Sequence, residues 1–196
     1  MSVPAVELLM GLLLVAAAAV LAWILLSRGR RWSPHRLVDP VTDLMTRRAL
    51  DLALPQILAQ AERHGGDMTA AVVELDGLDD YLARFGHRVG RDVLKVAAGI
   101  FRDGTRPVHA VFRTGERQFV ILFDGLDLAA TQQQVSGCVA LLQPIAGGYI
   151  TPVCGFCEWR PGMSGAQVVE QAADHLEAAR WRRARDLRPA RTVVIE

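Results

Sequence analysis

The chain has 196 residues, 51% of them hydrophobic and 22% charged, with a formal net charge of +1. That composition supports a packed core and excludes wholesale disorder. The even charge balance gives no case for nucleic acid as a partner, and three cysteines are too few for a disulfide framework.

In chain order, the first feature is apolar. Leu8 to Leu26 carries no charged or strongly polar residue, and at roughly 1.5 Å per residue it is just long enough for the hydrocarbon core of a bilayer. Arg28, Arg30 and Arg31 follow it, whereas only Glu7 and the amino terminus precede it, the reverse of a cleavable signal peptide. The positive-inside rule then predicts a short external segment over 1–7, a transmembrane helix over 8–26 and a basic linker over 27–38 on the cytoplasmic side. Trp23 and Trp32 suit interface anchors, and Ala18 with Ala22 gives a weak small-residue spacing for helix dimerisation.

Ser33-Pro34-His35 breaks this helix, and a soluble domain is expected over 39–196. Leu50, Leu54, Ile57, Leu58 and Ala61 recur at helical spacing, which predicts a helix over 47–64, kinked or restarted at Pro55. Thr69 to Leu75 reads as a buried strand. Asp79 to Arg102 reads as mostly helical, with Gly86 and Gly90 marking a break near its middle. Val108–Phe112 and Phe119–Phe123 flank a polar turn and predict a hairpin. A helix over 128–142, a strand over 150–159, a long helix over 164–185 and a strand over 191–195 complete the series. Helices interleaved with a central hairpin imply an α/β sandwich, one mostly antiparallel sheet covered by helices.

Five stretches carry a more specific signal. They are Asp39-Pro40-Val41-Thr42-Asp43-Leu44-Met45-Thr46-Arg47-Arg48, Val73-Glu74-Leu75-Asp76-Gly77-Leu78, Phe85-Gly86-His87-Arg88-Val89-Gly90-Arg91-Asp92-Val93-Leu94, Arg113-Thr114-Gly115-Glu116-Arg117-Gln118-Phe119-Val120, and the tail from Ala172 to Val194. In this order and spacing the chain resembles the GGDEF (diguanylate cyclase) family, whose members make cyclic di-GMP from two GTP. Each motif alone is weak, but five in register make the resemblance specific. It implies a nucleotidyl-cyclase-like α/β sandwich, a bacterial inner-membrane location with the domain in the cytoplasm, and Mg²⁺ or Mn²⁺ if the protein is active.

The resemblance also supplies a catalytic test. One metal-holding carboxylate of the family falls on Glu74. The signature itself reads Gly115, Glu116, Arg117, Gln118, Phe119, so both of its acidic positions are lost. A guanidinium cannot ligate a cation and repels one. Glu116 stands where a second glycine lets the backbone approach the nucleotide at positive φ. Sliding the frame to make Glu116 the ligand would turn Phe119 out of the core. The positions that read guanine fall on Leu82 and Arg91, which suit neither task. The phosphate-meeting positions of the last helix fall on Arg180 and Ala184, with Arg183 beside them, and the inhibitory product site on Arg106 and His109.

The expectation is therefore a degenerate, membrane-anchored GGDEF domain, needing no cofactor, that acts as a signalling or scaffold module through a protein partner or a homodimer. Two alternatives stay open: a working diguanylate cyclase with a non-standard site, and a domain that binds GTP or cyclic di-GMP without turning it over. Blander readings stand beside these. Glu74 and Asp76 read as metal ligands or as solvent-facing acids at a strand end. Asp79-Asp80 reads as an acidic pair complementing a helix dipole. Cys154 and Cys157 read as small core residues rather than a redox or zinc pair. The run Arg180 to Arg185 reads as a binding surface for anionic lipid, phosphate or a partner, or as ordinary cations near a helix end.

Overall fold

The structure is a computed structural model that describes residues 36–105, 110–145 and 147–186. The apolar run Leu8–Leu26, Arg106, His109 and the strand expected over 191–195 lie outside the described residues. Among those described, no helix is long and apolar enough to cross a membrane.

The elements are β1 (Met45–Thr46), α1 (Arg47–His64), β2 (Met68–Asp76), α2 (Leu78–Phe85), α3 (His87–Gly104), β3 (Ala110–Arg113), β4 (Gln118–Asp124), α4 (Leu128–Leu142), β5 (Thr151–Glu158) and α5 (Gly165–Asp186). The strands form one sheet in the order β1-β3-β4-β2-β5. The β3–β4, β4–β2 and β2–β5 pairings are antiparallel, as expected, but β1 joins β3 in parallel. The sheet is therefore mixed rather than antiparallel. The reason lies in the first loop, where Thr46 N donates to Leu37 O and Asp39 N to Leu44 O, turning the chain onto the outer edge of β3 just before α1 begins. A two-residue strand is too short to show a period of two in sequence.

β2 sits at the centre of the sheet, and Met68 to Leu75 is buried throughout. A strand covered on both faces reads as a continuous apolar run, and its pleat sends alternate residues to opposite sides. Ala71, Val73 and Leu75 join Phe119, Ile121 and Phe123 beneath α2, α3 and α4. Ala70 and Val72 join Phe112, Val120 and Leu122 beneath α1 and α5. The result is three layers with two cores.

Local sequence explains the joints. α1 runs through Pro55 without restarting; Pro55 lies on the exposed side, where water can meet the carbonyl its ring leaves unpaired. The break between α2 and α3 falls at Gly86, whose φ of 87° a side chain rarely adopts. Gly155 permits the tightest contact between layers: a Cβ there would stand 2.1 Å from Ala172 O and 2.2 Å from Leu176 N of α5.

Candidate functional site

The residues singled out in sequence gather where the C-terminal end of β2, the β3–β4 turn, the first turn of α2 and the second half of α5 meet. The pleat that aims Ala70 and Val72 toward α5 aims Glu74 and Asp76 there as well. Glu74 is only 6% exposed, so it is not a solvent-facing acid. Two guanidiniums answer its charge. Arg117 Nε lies 2.9 Å from Glu74 Oε1, and Arg180 Nη2 lies 3.4 Å from the same oxygen. The Arg117 contact is an ion pair without the alignment of a hydrogen bond, leaving Oε1 without an aligned donor.

Arg117 also donates from Nη1 to Asp79 Oδ2, which ties the signature turn to the start of α2. Asp79 is thus more than a complement to the helix dipole. Arg180 reaches Asp76 Oδ1 at 3.7 Å and Glu177 Oε1 at 3.1 Å. Burial pulls the Arg180 pKa down, but the carboxylates of Glu74, Glu177 and Asp76 outweigh it and hold the guanidinium above its ordinary value. Four carboxylates therefore share two arginines, and the excess charge at this mouth is negative. Sequence reading missed Asp79 as a member because its partner Arg117 is 38 residues away, and Glu177 because it looks like an ordinary surface acid one turn before Arg180 in the same helix.

The signature turn keeps its shape by other means. Gly115 N and Thr114 N both donate to Gln118 O, at 3.2 Å and 3.0 Å. The Gln118 amide turns inward to accept from Thr114 Oγ1 at 3.1 Å. Phe119 is fully buried opposite Val73, in the register that the slipped frame would destroy. Glu116 is exposed and does not adopt positive φ; among the described residues Asp43 is the only non-glycine that does. The glycine expected at Glu116 is thus not required by the turn found here.

Arg113 anchors the turn from beneath. Buried at 7% exposure, it donates from Nε to Gly115 O at 3.2 Å, from Nη2 to Glu116 O at 2.7 Å and from Nη1 to Asp39 Oδ1 at 2.9 Å. Asp39 Oδ1 also accepts from Thr42 N at 2.9 Å and Thr42 Oγ1 at 2.7 Å. Burial pushes the Asp39 carboxyl up, but the hydrogen bonds from Thr42 and Arg113 and the charge of Arg113 hold it below its ordinary value. The first motif and the signature are thereby one unit, a link the sequence did not announce.

The other candidate positions are less connected. Leu82 packs into the core beneath α3, and a Cβ on Gly90 would lie 2.1 Å from Leu82 Cδ2, so aliphatic carbon fills the joint between α2 and α3. Arg91 is exposed. Arg183 lines an open cleft of about 490 Å³ with Asp76, Glu177, Arg180, Trp181 and Ala184. Burial drives the Cys154 thiol up to about 12, and Cys157 Sγ donates to Gln171 Oε1 at 3.4 Å. Cys157 is a core residue, and Cys154 is partly buried against the core on the other face of the sheet.

A divalent metal does not fit these residues. Mg²⁺ needs oxygen ligands at about 2.0–2.1 Å, while Glu74 is held by two arginines at 2.9 Å and 3.4 Å. No group of three acidic, histidine or cysteine side chains among the described residues could hold a metal ion.

Residues 36–185 match the sequence profile described as diguanylate cyclase, GGDEF domain. The chain belongs to the GGDEF family. Among relatives, it is 32% identical over 153 residues to diguanylate cyclase DgcP of Pseudomonas aeruginosa, a match covering 74% of this chain and 22% of DgcP. The chain thus spans less than a quarter of that relative's length. Its fold matches the GGDEF domain of DgcB from Caulobacter crescentus, solved in complex with c-di-GMP, at a TM-score of 0.68 and 25% identity over 74% of this chain and 90% of that one. Diguanylate cyclase SiaD from Pseudomonas aeruginosa, solved with its activator SiaC, shares the fold at a TM-score of 0.67 and 19% identity over 91% of this chain and 70% of SiaD.

Proposed function

We propose that this GGDEF domain does not make cyclic di-GMP and instead acts, tethered to the bacterial inner membrane, as a signalling module that binds a protein partner. The observation that carries the reading is the ion pair between Arg117 and the buried Glu74. Arg117 places a positive charge against the one carboxylate that matches the family's metal-holding position, and its guanidinium is held by both Glu74 and Asp79. A triphosphate arriving without cations meets an excess of carboxylates there. Leu82 offers carbon where a guanine edge needs hydrogen-bond partners.

A protein partner is supported by analogy with SiaD, whose structure contains an activator protein. The membrane tether rests on the sequence, from the apolar run Leu8–Leu26 and the arginines that follow it. The test is turnover by the full chain with GTP and Mg²⁺ or Mn²⁺. No cyclic di-GMP is expected; synthesis that Glu74→Ala abolishes would contradict the reading.

A second reading, nucleotide binding without turnover, is favoured by Arg183, which lines the open cleft and makes no ion pair among the described residues. Calorimetry with GTP and with cyclic di-GMP, wild type against Arg183→Ala, separates it from a purely protein-binding role.

A further inference from the structure

The exposed end of α5 carries a tryptophan at the rim of the open cleft and arginines that neither the core nor the ion pairs around Glu74 use. Acidic Glu170, Asp174 and Glu177 precede Arg180 along this helix, and Arg182, Arg183 and Arg185 follow it before the helix closes on Asp186. Arg180 is spent on Glu74, Asp76 and Glu177. Arg182 and Arg185 are exposed and make no ion pair among the described residues. Between these groups stands Trp181, 75% exposed, the most exposed large hydrophobic side chain among the described residues. Helical spacing puts Trp181 and Arg185 four apart, and Arg182 and Arg185 three apart, so the three side chains share one surface.

A helix dipole accounts for a cation in the last turn, but not for an indole held in water beside two arginines that make no ion pair among the described residues. Indole and guanidinium suit the boundary of a bilayer, where the ring enters the headgroup layer and the guanidiniums take lipid phosphates. We propose that the surface formed by Trp181, Arg182 and Arg185 docks on an anionic phospholipid membrane. The sequence supplies a second argument for this occupant. The apolar run Leu8–Leu26 and the basic stretch Arg28 to Arg31, with Trp32, have the same membrane-directed chemistry. Docking does not depend on whether the domain makes cyclic di-GMP.

The experiment uses the full chain in vesicles of phosphatidylcholine alone and of phosphatidylcholine mixed with phosphatidylglycerol. Acrylamide quenching of Trp181 is read as the difference between wild type and Trp181→Phe, while the buried Trp159 reports that the fold is intact. The expected result is a blue-shifted Trp181 component, protected from quenching only in the anionic vesicles. Arg182→Gln with Arg185→Gln should weaken docking by about fivefold per arginine removed, and added salt should do the same. Equal quenching in the two lipids overturns the proposal. So does protection conferred by a single-stranded oligonucleotide or a soluble protein while the anionic vesicles confer none.

Discussion

Glu74 is a carboxylate at 6% exposure, and burial of that kind is tolerable only beside counter-charge. Arg117 and Arg180 supply it. Arg117→Ala removes one of the two, and since Arg117 is itself partly exposed and Arg180 remains, the loss is about 1–2 kcal/mol rather than the full cost of orphaning a buried ion. Urea unfolding of the two proteins measures it. Asp39 makes a separate prediction about pH. Its folded pKa lies below the unfolded value, so its contribution is fully present above the ordinary carboxylate range and is lost as pH falls through the depressed folded value. Acid unfolding of Asp39→Asn should therefore show a shallower dependence on pH over that window, with lower stability at neutral pH. None of these pairings was legible in sequence. Which cation faces Glu74 is decided by where β4 and α5 come to rest, and in sequence Glu74 reads first as a solvent-facing acid at a strand end.

Elements were far more legible than contacts. The helix expected over 47–64 is found with those bounds, because Leu50, Leu54, Leu58 and Ala61 mark one face without ambiguity. The buried strand and the hairpin are found where the apolar runs and the polar turn placed them. The break in the central helical region falls at Gly86 because the backbone there needs positive φ, while Gly90 stays helical to make room for Leu82. β1 escaped notice, and with it the parallel pairing that makes the sheet mixed. The β5–α5 contact yields a prediction at this scale. Gly155→Ala drives a methyl against the backbone of Ala172 and Leu176, which cannot give way as a flexible side chain would. The variant should lose roughly 3 kcal/mol, or about 6–12 °C in thermal midpoint, as read by calorimetry.

At the scale of the molecule, the chain has the family's architecture, with Arg117 ion-paired at the mouth. Gly115 and Phe119 still build the turn and seat it in the core, and Arg113 binds it to Asp39 from below. Legible in the sequence were the family and the fact that Arg117 and Gln118 are not carboxylates. Hidden was what the replacement does: Arg117 joins the site as a tethered cation, in contact with Glu74 and Asp79. What decides the role of Arg117 is whether this mouth accepts a divalent ion. Mn²⁺ titration followed by electron paramagnetic resonance, on the wild type and on Arg117→Asp, asks that directly. The wild type should leave the free Mn²⁺ signal unchanged, while Arg117→Asp, which replaces the tethered cation with a carboxylate beside Glu74, should reduce it. A wild-type protein that binds Mn²⁺, and loses it on Glu74→Gln, would contradict the account.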